Sequence, residues 1–433
     1  MLTKEKNELL TRVGPGTEMG EYLRRYWTPI GGASEFDDKD MKPIRLFGED
    51  LVLYKDMSGT FGLVDRQCPH RRADLSYGFV EKTGIRCNYH GWLMDESGQV
   101  IEQPFEDTAN PKNPLREKCK IKAYPVKELG GLLWTYMGPL PAPELPVHEP
   151  FARKNNFVHV ALSDIPCNWF QCQENSIDPV HFEWMHDNWS IRQKGDLGPY
   201  ATKHLKVAFD EVEHGFVYRR VREGQPDGST LWTVGRMFLW PLGFYLGGHY
   251  EWRVPVDDEN TLSVTWFSSQ VPAEQEPYIQ KRIPTWHSPI KQPNGRWITS
   301  HVINQDIVAW VGQGIISDRT KETLGASDRG ISMIRNRFFE ELEAVKQGKD
   351  PKGTIRDPET AKFVDLPNAN RDIYRSGLTR AEFKKNPQLM NGLKRFPFLA
   401  GLPVEIREEF NRAMGVDENG EFLADKAAKV PAE

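Results

Sequence analysis

The chain has 433 residues, 56 lysines and arginines against 61 aspartates and glutamates, and a formal net charge of −5. That length exceeds what a small electron carrier needs and points to two or three domains. The mild, interspersed charge argues against a nucleic-acid or membrane-surface partner, and no apolar run approaches a membrane span. The charged start, Met1 to Glu8, lacks the apolar centre of a signal peptide, so a soluble, cytoplasmic protein is expected.

In chain order, Gly14-Pro15-Gly16 breaks a first helix around Leu9-Leu10 from a second over Met19 to Trp27. Short β-type runs follow at Ile44 to Leu46, Leu51 to Tyr54, Phe61 to Val64, Trp92 to Met94, Val100-Ile101 and Gly131 to Tyr136. Five prolines between Pro139 and Pro150 predict an extended linker, and a domain boundary is expected there, giving domains 1–150 and 151–433. Beyond it, Phe157 to Ala161 reads as a strand and Asn168 to His186 as a helix. Strands are expected near Lys206 to Phe209, Phe216 to Val221, Leu231 to Trp240, Tyr250 to Val254 and Leu262 to Ser268, an antiparallel run. Ile331, Ile334, Phe338, Leu342 and Val345 mark one buried stripe of a helix from Gly330 to Lys346. The polar stretch after Asp417 is expected to fray. The fold class is α+β.

Two constellations carry chemistry. Cys68-Pro69-His70, then sixteen residues, then Cys87-Asn88-Tyr89-His90 reads C-x-H-x16-C-x2-H. Two thiolates on one iron and two imidazoles on the other are the ligands of a Rieske [2Fe–2S] centre, with a potential raised to about −150 to +300 mV. A structural zinc ion takes the same residue types. Arg71, Tyr89, Gly91, Trp92 and a covering loop at Pro104 favour the cluster; singly, Arg71, Tyr89 and Trp92 could be packing residues. The other three cysteines, Cys119, Cys167 and Cys172, form no framework and read as packing thiols.

The second constellation lies in Trp169 to His186. His181 and His186 are five residues apart, which on an ideal helix turns their rings about 140° from each other. One metal can take both only if the helix is distorted, and Pro179 supplies a cause. Two histidines and one carboxylate make the facial triad of non-haem Fe(II) oxygenases. Asp306 is the chosen third ligand, with Asp318, Glu322 and Asp328 as rivals that would otherwise cap helices or face solvent. Asp178, three residues before His181, is placed to orient that ring, or else to cap a helix. Arg236 and Arg253, in strand-like runs rich in aromatics, are candidates for a substrate carboxylate or for ordinary salt bridges. The pair Gly312 and Gly314 is no dinucleotide fingerprint.

With these residues in view, the chain resembles the oxygenase (α) subunits of Rieske non-haem iron oxygenases. The Rieske motif, the block Glu174-Asn175-x-x-Asp178-Pro179-x-His181-x4-His186 and the late Asp306 carry the resemblance, which spans nearly the whole chain. The opening helix and the region Gln305 to Arg319 look like the phthalate dioxygenase group of aromatic-acid hydroxylases and O-demethylases. The resemblance implies an N-terminal Rieske β domain and a helix-grip (START/SRPBCC-like) catalytic domain with a curved antiparallel sheet. It implies one [2Fe–2S] cluster on Cys68, His70, Cys87 and His90, and one mononuclear Fe(II) on His181, His186 and Asp306. Asn175 would support the iron site from behind, and Asp178 would bridge His181 to His90 of a neighbour in a head-to-tail homotrimer. A separate NAD(P)H-dependent reductase or ferredoxin would supply electrons. With O2, the enzyme would hydroxylate or O-demethylate an aromatic, carboxylated, lignin- or phthalate-like compound. A Rieske electron carrier without oxygenase activity and a zinc-stabilised binding module are the alternatives.

Overall fold

The computed structural model describes residues 1–226, 228–396 and 398–423. Its largest element is an eight-stranded sheet in the spatial order His204–Val212, Gly215–Arg222, Arg236–Leu239, Gly243–Tyr245, His249–Pro255, Thr261–Gln270, Asn156–Ile165 and Thr285–His287. Every pair is antiparallel except the last, where Val160 to Leu162 run parallel to Thr285 to His287. Three smaller sheets come from residues 28–135. One joins Thr28–Gly32, Leu132–Thr135 and Val126–Leu129, and the other two hold four strands each.

The strands Asn156–Ile165, His249–Pro255 and Thr261–Gln270 of the large sheet are covered on both sides, so they are nearly continuously buried rather than alternating. Alternate side chains still go to opposite faces. Trp252 meets Trp134 of the three-stranded sheet at 5.2 Å between ring centroids, and Trp266 meets Phe151 at 4.9 Å. On the opposite face Arg253 lies under Trp310 of the helix Val302–Gly312, and Phe267 lies beside Phe398. The helix Arg329–Lys346 follows the expected stripe. Its Phe338 is buried among Tyr22, Trp169, Phe170 and Trp240, tying an N-terminal helix to the apolar interior beside the large sheet. The proline-rich stretch is pinned by Glu144, Val147 and Glu149, whose N–H groups donate to Ile355, Ala361 and Val364. No helix among the described residues is long and apolar enough to cross a membrane.

Three expectations are corrected. Leu231 to Trp240 is not one strand: Thr230–Thr233 is a helical turn, and the strand begins at Arg236. Trp232 there is covered by the Lys206 ammonium, 3.9 Å from its ring, instead of joining the sheet. Asn168 to His186 is not one helix, as described below. Val416 and Phe422 form a bridge around a turn capped by Asp417, so the chain is ordered past Asp417; residues 424–433 lie outside the described residues.

Two buried histidines set an acid limit. Burial pushes His148 and His159 each down to about 3, whereas an unfolded histidine titrates near 6.5. Between those values the unfolded chain binds protons that the folded chain refuses, so stability falls as pH drops below 6.5. Each histidine contributes up to about 1.4 kcal/mol per pH unit. His159→Gln keeps an acceptor for the Trp286 indole N–H, 3.1 Å away, and is expected to flatten the decline of thermal midpoint between pH 6.5 and 4. An unchanged slope would exclude His159 as a cause.

Candidate metal centres

The helix Trp169–Asn175 is capped by Asn168, whose side chain accepts the Phe170 N–H at 3.0 Å. It stops before Asp178-Pro179, because a residue preceding proline is driven out of helical conformation. Asp178 accepts the Val180 N–H at 2.8 Å, and the chain restarts at His181 as a π-helix, Phe182–Asn188. A π-helix bonds residue i to i+5, so the awkward five-residue spacing becomes about one turn. The two rings therefore meet, with centroids 5.1 Å apart.

Asp306, on Val302–Gly312, reaches the same point. Its Oδ1 is 3.6 Å from His181 Nε2 and 3.3 Å from His186 Nε2. Donor atoms of the three residues all lie within 4.8 Å of one another, the one such group of three or more His, Cys, Asp or Glu among the described residues. The rivals are engaged elsewhere: Asp318 with Thr320 and Lys321, Glu322 with Arg335, Asp328 with the Gly325 N–H. The far nitrogen of each ring faces an acceptor. Gln305 donates its amide to Ser190 Oγ at 3.0 Å and Thr299 O at 3.2 Å, which turns its Oε1 toward His186 Nδ1 at 3.0 Å. His186 Nδ1 thus has an acceptor in Gln305, which leaves Nε2 as the nitrogen that faces Asp306 and would take a metal. His181 Nδ1 is 3.5 Å from Asp178 Oδ2, without an aligned hydrogen bond. Burial raises the Asp178 carboxyl, but the contact with His181 and the Val180 N–H hold it below the usual range. His186 is raised to about 8: burial opposes its charge, and Asp306 outweighs burial. Asn175 ends the first helix, and its side chain bonds no described residue.

The donor chemistry fits a metal. Asp306 Oδ1 is buried without a hydrogen-bond partner. An unpartnered buried carboxylate oxygen facing two imidazole nitrogens is what a cation satisfies.

The two Cys–His loops lie in the N-terminal sheets. Cys68 and Cys87 are 1% and 2% exposed, while His90 is exposed. Cys87 N–H donates to Trp92 O at 2.9 Å, and Gly91 N–H to Cys87 O at 3.0 Å. Gly91 needs its φ of 75° to close this turn, and a Cβ there would lie 3.1 Å from Pro104, so Pro104 does cover the loop. The four side chains sort by type. Burial and the adjacent Cys87 thiol push Cys68 up to about 11, against the N–H groups of His70 and Arg71. The His70 and His90 rings sit together 4.4 Å apart. A zinc tetrahedron would gather all four donors around one point, and they do not form such a group. A thiol pair and an imidazole pair side by side suit two irons. Trp92 is more than filler: it stacks on His70 at 4.5 Å and 7°. Cys167 and Cys172 face each other at 3.6 Å in the apolar interior, away from this centre.

An open cleft of about 840 Å³ adjoins His186 and Gln305. Phe396 and Phe398 give it an apolar wall, and Lys194 and Arg395 give it positive charge, while Arg222 and Lys394 there are paired with Asp187 and Glu421. These residues were not marked by the sequence, since nothing local distinguishes them from surface lysines and arginines. Arg253 is not available to a substrate: it is 2% exposed, bonded to Glu251 and to Ser263 Oγ at 2.9 Å. Arg236 has no such partner among the described residues and lies over Phe182 at 5.1 Å.

Residues 26–125 match the family description "Rieske [2Fe-2S] domain", and residues 291–366 match "LigXa C-terminal domain like". A 5,5'-dehydrodivanillate O-demethylase oxygenase subunit of a Sphingobium species is 56% identical over 425 residues, 98% of this chain and 100% of that one. The chain belongs to the Rieske non-haem iron oxygenases. It is an oxygenase subunit of such a system, with a [2Fe–2S] cluster and a mononuclear iron as the cofactors of this family. A phthalate 4,5-dioxygenase oxygenase subunit of Pseudomonas putida is 32% identical, covering 82% of this chain and 89% of that one. The fold is shared with the Pseudomonas putida CBB5 protein NdmA at 20% identity and a TM-score of 0.55, covering 76% of this chain and 94% of that one. The oxygenase of carbazole 1,9a-dioxygenase, solved with its ferredoxin, aligns at 18% identity and a TM-score of 0.54, covering 81% and 96%. As an oxygenase subunit, this Rieske oxygenase takes its electrons from a partner protein.

Proposed function

We propose that this oxygenase subunit O-demethylates a methoxylated aromatic acid. The observation that carries this reading is its full-length similarity to the 5,5'-dehydrodivanillate O-demethylase oxygenase subunit. The cationic, aromatic-walled cleft beside His186 supports an anionic aromatic substrate. In this reading the chain divides at the proline-rich stretch into domains 1–150 and 151–433. Cys68, His70, Cys87 and His90 hold the cluster, and His181, His186 and Asp306 hold the iron. When bound, the iron supplies reductive use of O2, with electrons delivered through the cluster from a reductase or ferredoxin. Gln305 fixes the His186 tautomer, Asp178 steadies His181, and Asn175 supports the site from behind. The methoxy group is the part oxidised; the resulting hemiacetal releases formaldehyde and a phenol.

We further propose a cytoplasmic homotrimer, in which Asp178 bridges His181 to His90 of the neighbouring subunit. The partly exposed Asp178 carboxylate and the exposed His90 ring are both accessible to a second chain. Asp178→Asn is then expected to retain both metals yet slow reoxidation of the reduced cluster by O2 and substrate at least about tenfold. Stopped-flow absorbance reads that rate; a wild-type rate would remove the bridge.

Ring dihydroxylation is the second reading, favoured by the similarity to the phthalate 4,5-dioxygenase subunit. A panel of methoxylated and phthalate-like acids, turned over with a surrogate reductase, separates them. Stoichiometric formaldehyde is the expected product; a cis-diol without formaldehyde would overturn O-demethylation.

A further inference from the structure

Two arginines beside the candidate metal centre have no ion-pair partner among the described residues. Arg236 pairs with Tyr218 across the strands Gly215–Arg222 and Arg236–Leu239, and Arg220 lies two residues from Tyr218, on the same face. Their guanidinium carbons are 4.6 Å (Arg220) and 5.1 Å (Arg236) from the Phe182 ring centroid. The same ring is 4.5 Å from the His181 ring and 5.2 Å from the His186 ring. Phe182 therefore stands between the metal-binding imidazoles and the guanidinium pair.

Neither arginine makes an ion pair among the described residues. The neighbouring Arg219 and Arg222, by contrast, pair with Asp210 and Asp187. Arg220 is 5% exposed, and its Nη1 meets only neutral atoms, Pro179 O at 3.5 Å and His204 Nε2 at 3.4 Å. His204 is fixed as an acceptor at Nε2, because its Nδ1 donates to Glu183 Oε2 at 2.9 Å. Arg220 Nε and Arg236 Nε and Nη1 are buried without any hydrogen-bond partner. Burial and the charge of Arg236 push Arg220 down to about 9. A positioned, desolvated guanidinium pair with spare donors is costly unless an anion completes it.

We propose that Arg220 and Arg236 form the carboxylate-binding end of the substrate site, with Phe182 as its apolar floor. The planar forks suit a carboxylate, and Phe182 is the ring shared by the two guanidinium groups and the His181 and His186 imidazoles. This assignment rests on the aromatic-acid reading above, and it replaces Arg253 with Arg220 as the partner of Arg236.

The test is anaerobic binding, by calorimetry on the metal-loaded enzyme without reductant, of 5,5'-dehydrodivanillate and its dimethyl ester. Arg220→Met and Arg236→Met are each expected to weaken binding of the acid about 10- to 100-fold and to change ester binding little. Both variants are expected to keep or raise the thermal midpoint, since an uncompensated buried charge is removed. Unchanged acid affinity, equal losses for acid and ester, or a lowered midpoint would overturn the assignment, the last by marking the arginines as structural. A wild-type enzyme that does not favour the acid over the ester overturns the aromatic-acid reading itself, whatever the variants do.

Discussion

Asp306→Ala is expected to abolish turnover, at least about a thousandfold, while leaving the visible and rhombic electron paramagnetic spectra of the cluster intact. The reason is geometric. Asp306 supplies the single anionic oxygen between two imidazole nitrogens, at 3.3 and 3.6 Å, and that oxygen has no other partner. Without it the remaining histidines offer two neutral donors, too few to retain a hard divalent ion against water. Metal analysis should show the mononuclear iron lost and the cluster iron kept. Gln305→Leu is a milder perturbation, because it removes only the acceptor that fixes the His186 tautomer and should weaken iron retention about 10- to 100-fold. A full complement of mononuclear iron in Asp306→Ala would remove Asp306 from the site.

Glu174→Ala is expected to destabilise the fold by about 3–5 kcal/mol. Glu174 lies on the helix Trp169–Asn175 and accepts Arg319 Nη2 and Arg335 Nε, both at 2.6 Å. Arg319 is fully buried and Arg335 is 4% exposed. Arg319 also donates to Asn7 Oδ1 at 3.0 Å, and Arg335 to Glu322. One carboxylate thus joins the segment that carries the candidate metal site, the N-terminal helix and the helix Arg329–Lys346. Removing it strands the Arg319 charge in the interior, where Asn7 and Ser317 O offer only neutral acceptors. Glu322→Ala leaves Arg335 its bond to Glu174 and should cost far less. Denaturant midpoints read the difference. A Glu174→Ala loss within about 1 kcal/mol, the size of an exposed pair, would show that the network is not a clamp.

Much of the site was legible because its chemistry constrains sequence spacing. The C-x-H and C-x2-H pairs flag a metal whatever the surrounding fold, and the five-residue step from His181 to His186 requires a distorted helix if both are to reach one ion. The distortion takes the form of a break at Asp178-Pro179 and a π-helix, which Pro179 alone could not specify. Asp306 was harder, since four late carboxylates competed. Only tertiary contacts show that Asp318, Glu322 and Asp328 are occupied by local partners. Of the two readings of Arg253 the salt bridge holds, and the sequence carried a signal for it. Glu251 stands two residues earlier on the same strand, hence on the same face, and the two pair internally. Arg220 had no local signal at all. Its significance comes from Phe182 and His204, residues 38 and 16 positions away that the sheet and the π-helix bring to it. The aromatic run from Leu231 to Trp240 misled because alternation cannot tell a strand from a turn whose tryptophan is covered by a lysine ammonium.

The most direct test of two separate iron centres is the iron and acid-labile sulfide content of the purified, reconstituted chain. About three irons for two sulfides per chain are expected, one iron beyond the cluster. Two irons for two sulfides would leave a cluster and no mononuclear centre, and zinc without sulfide would contradict both.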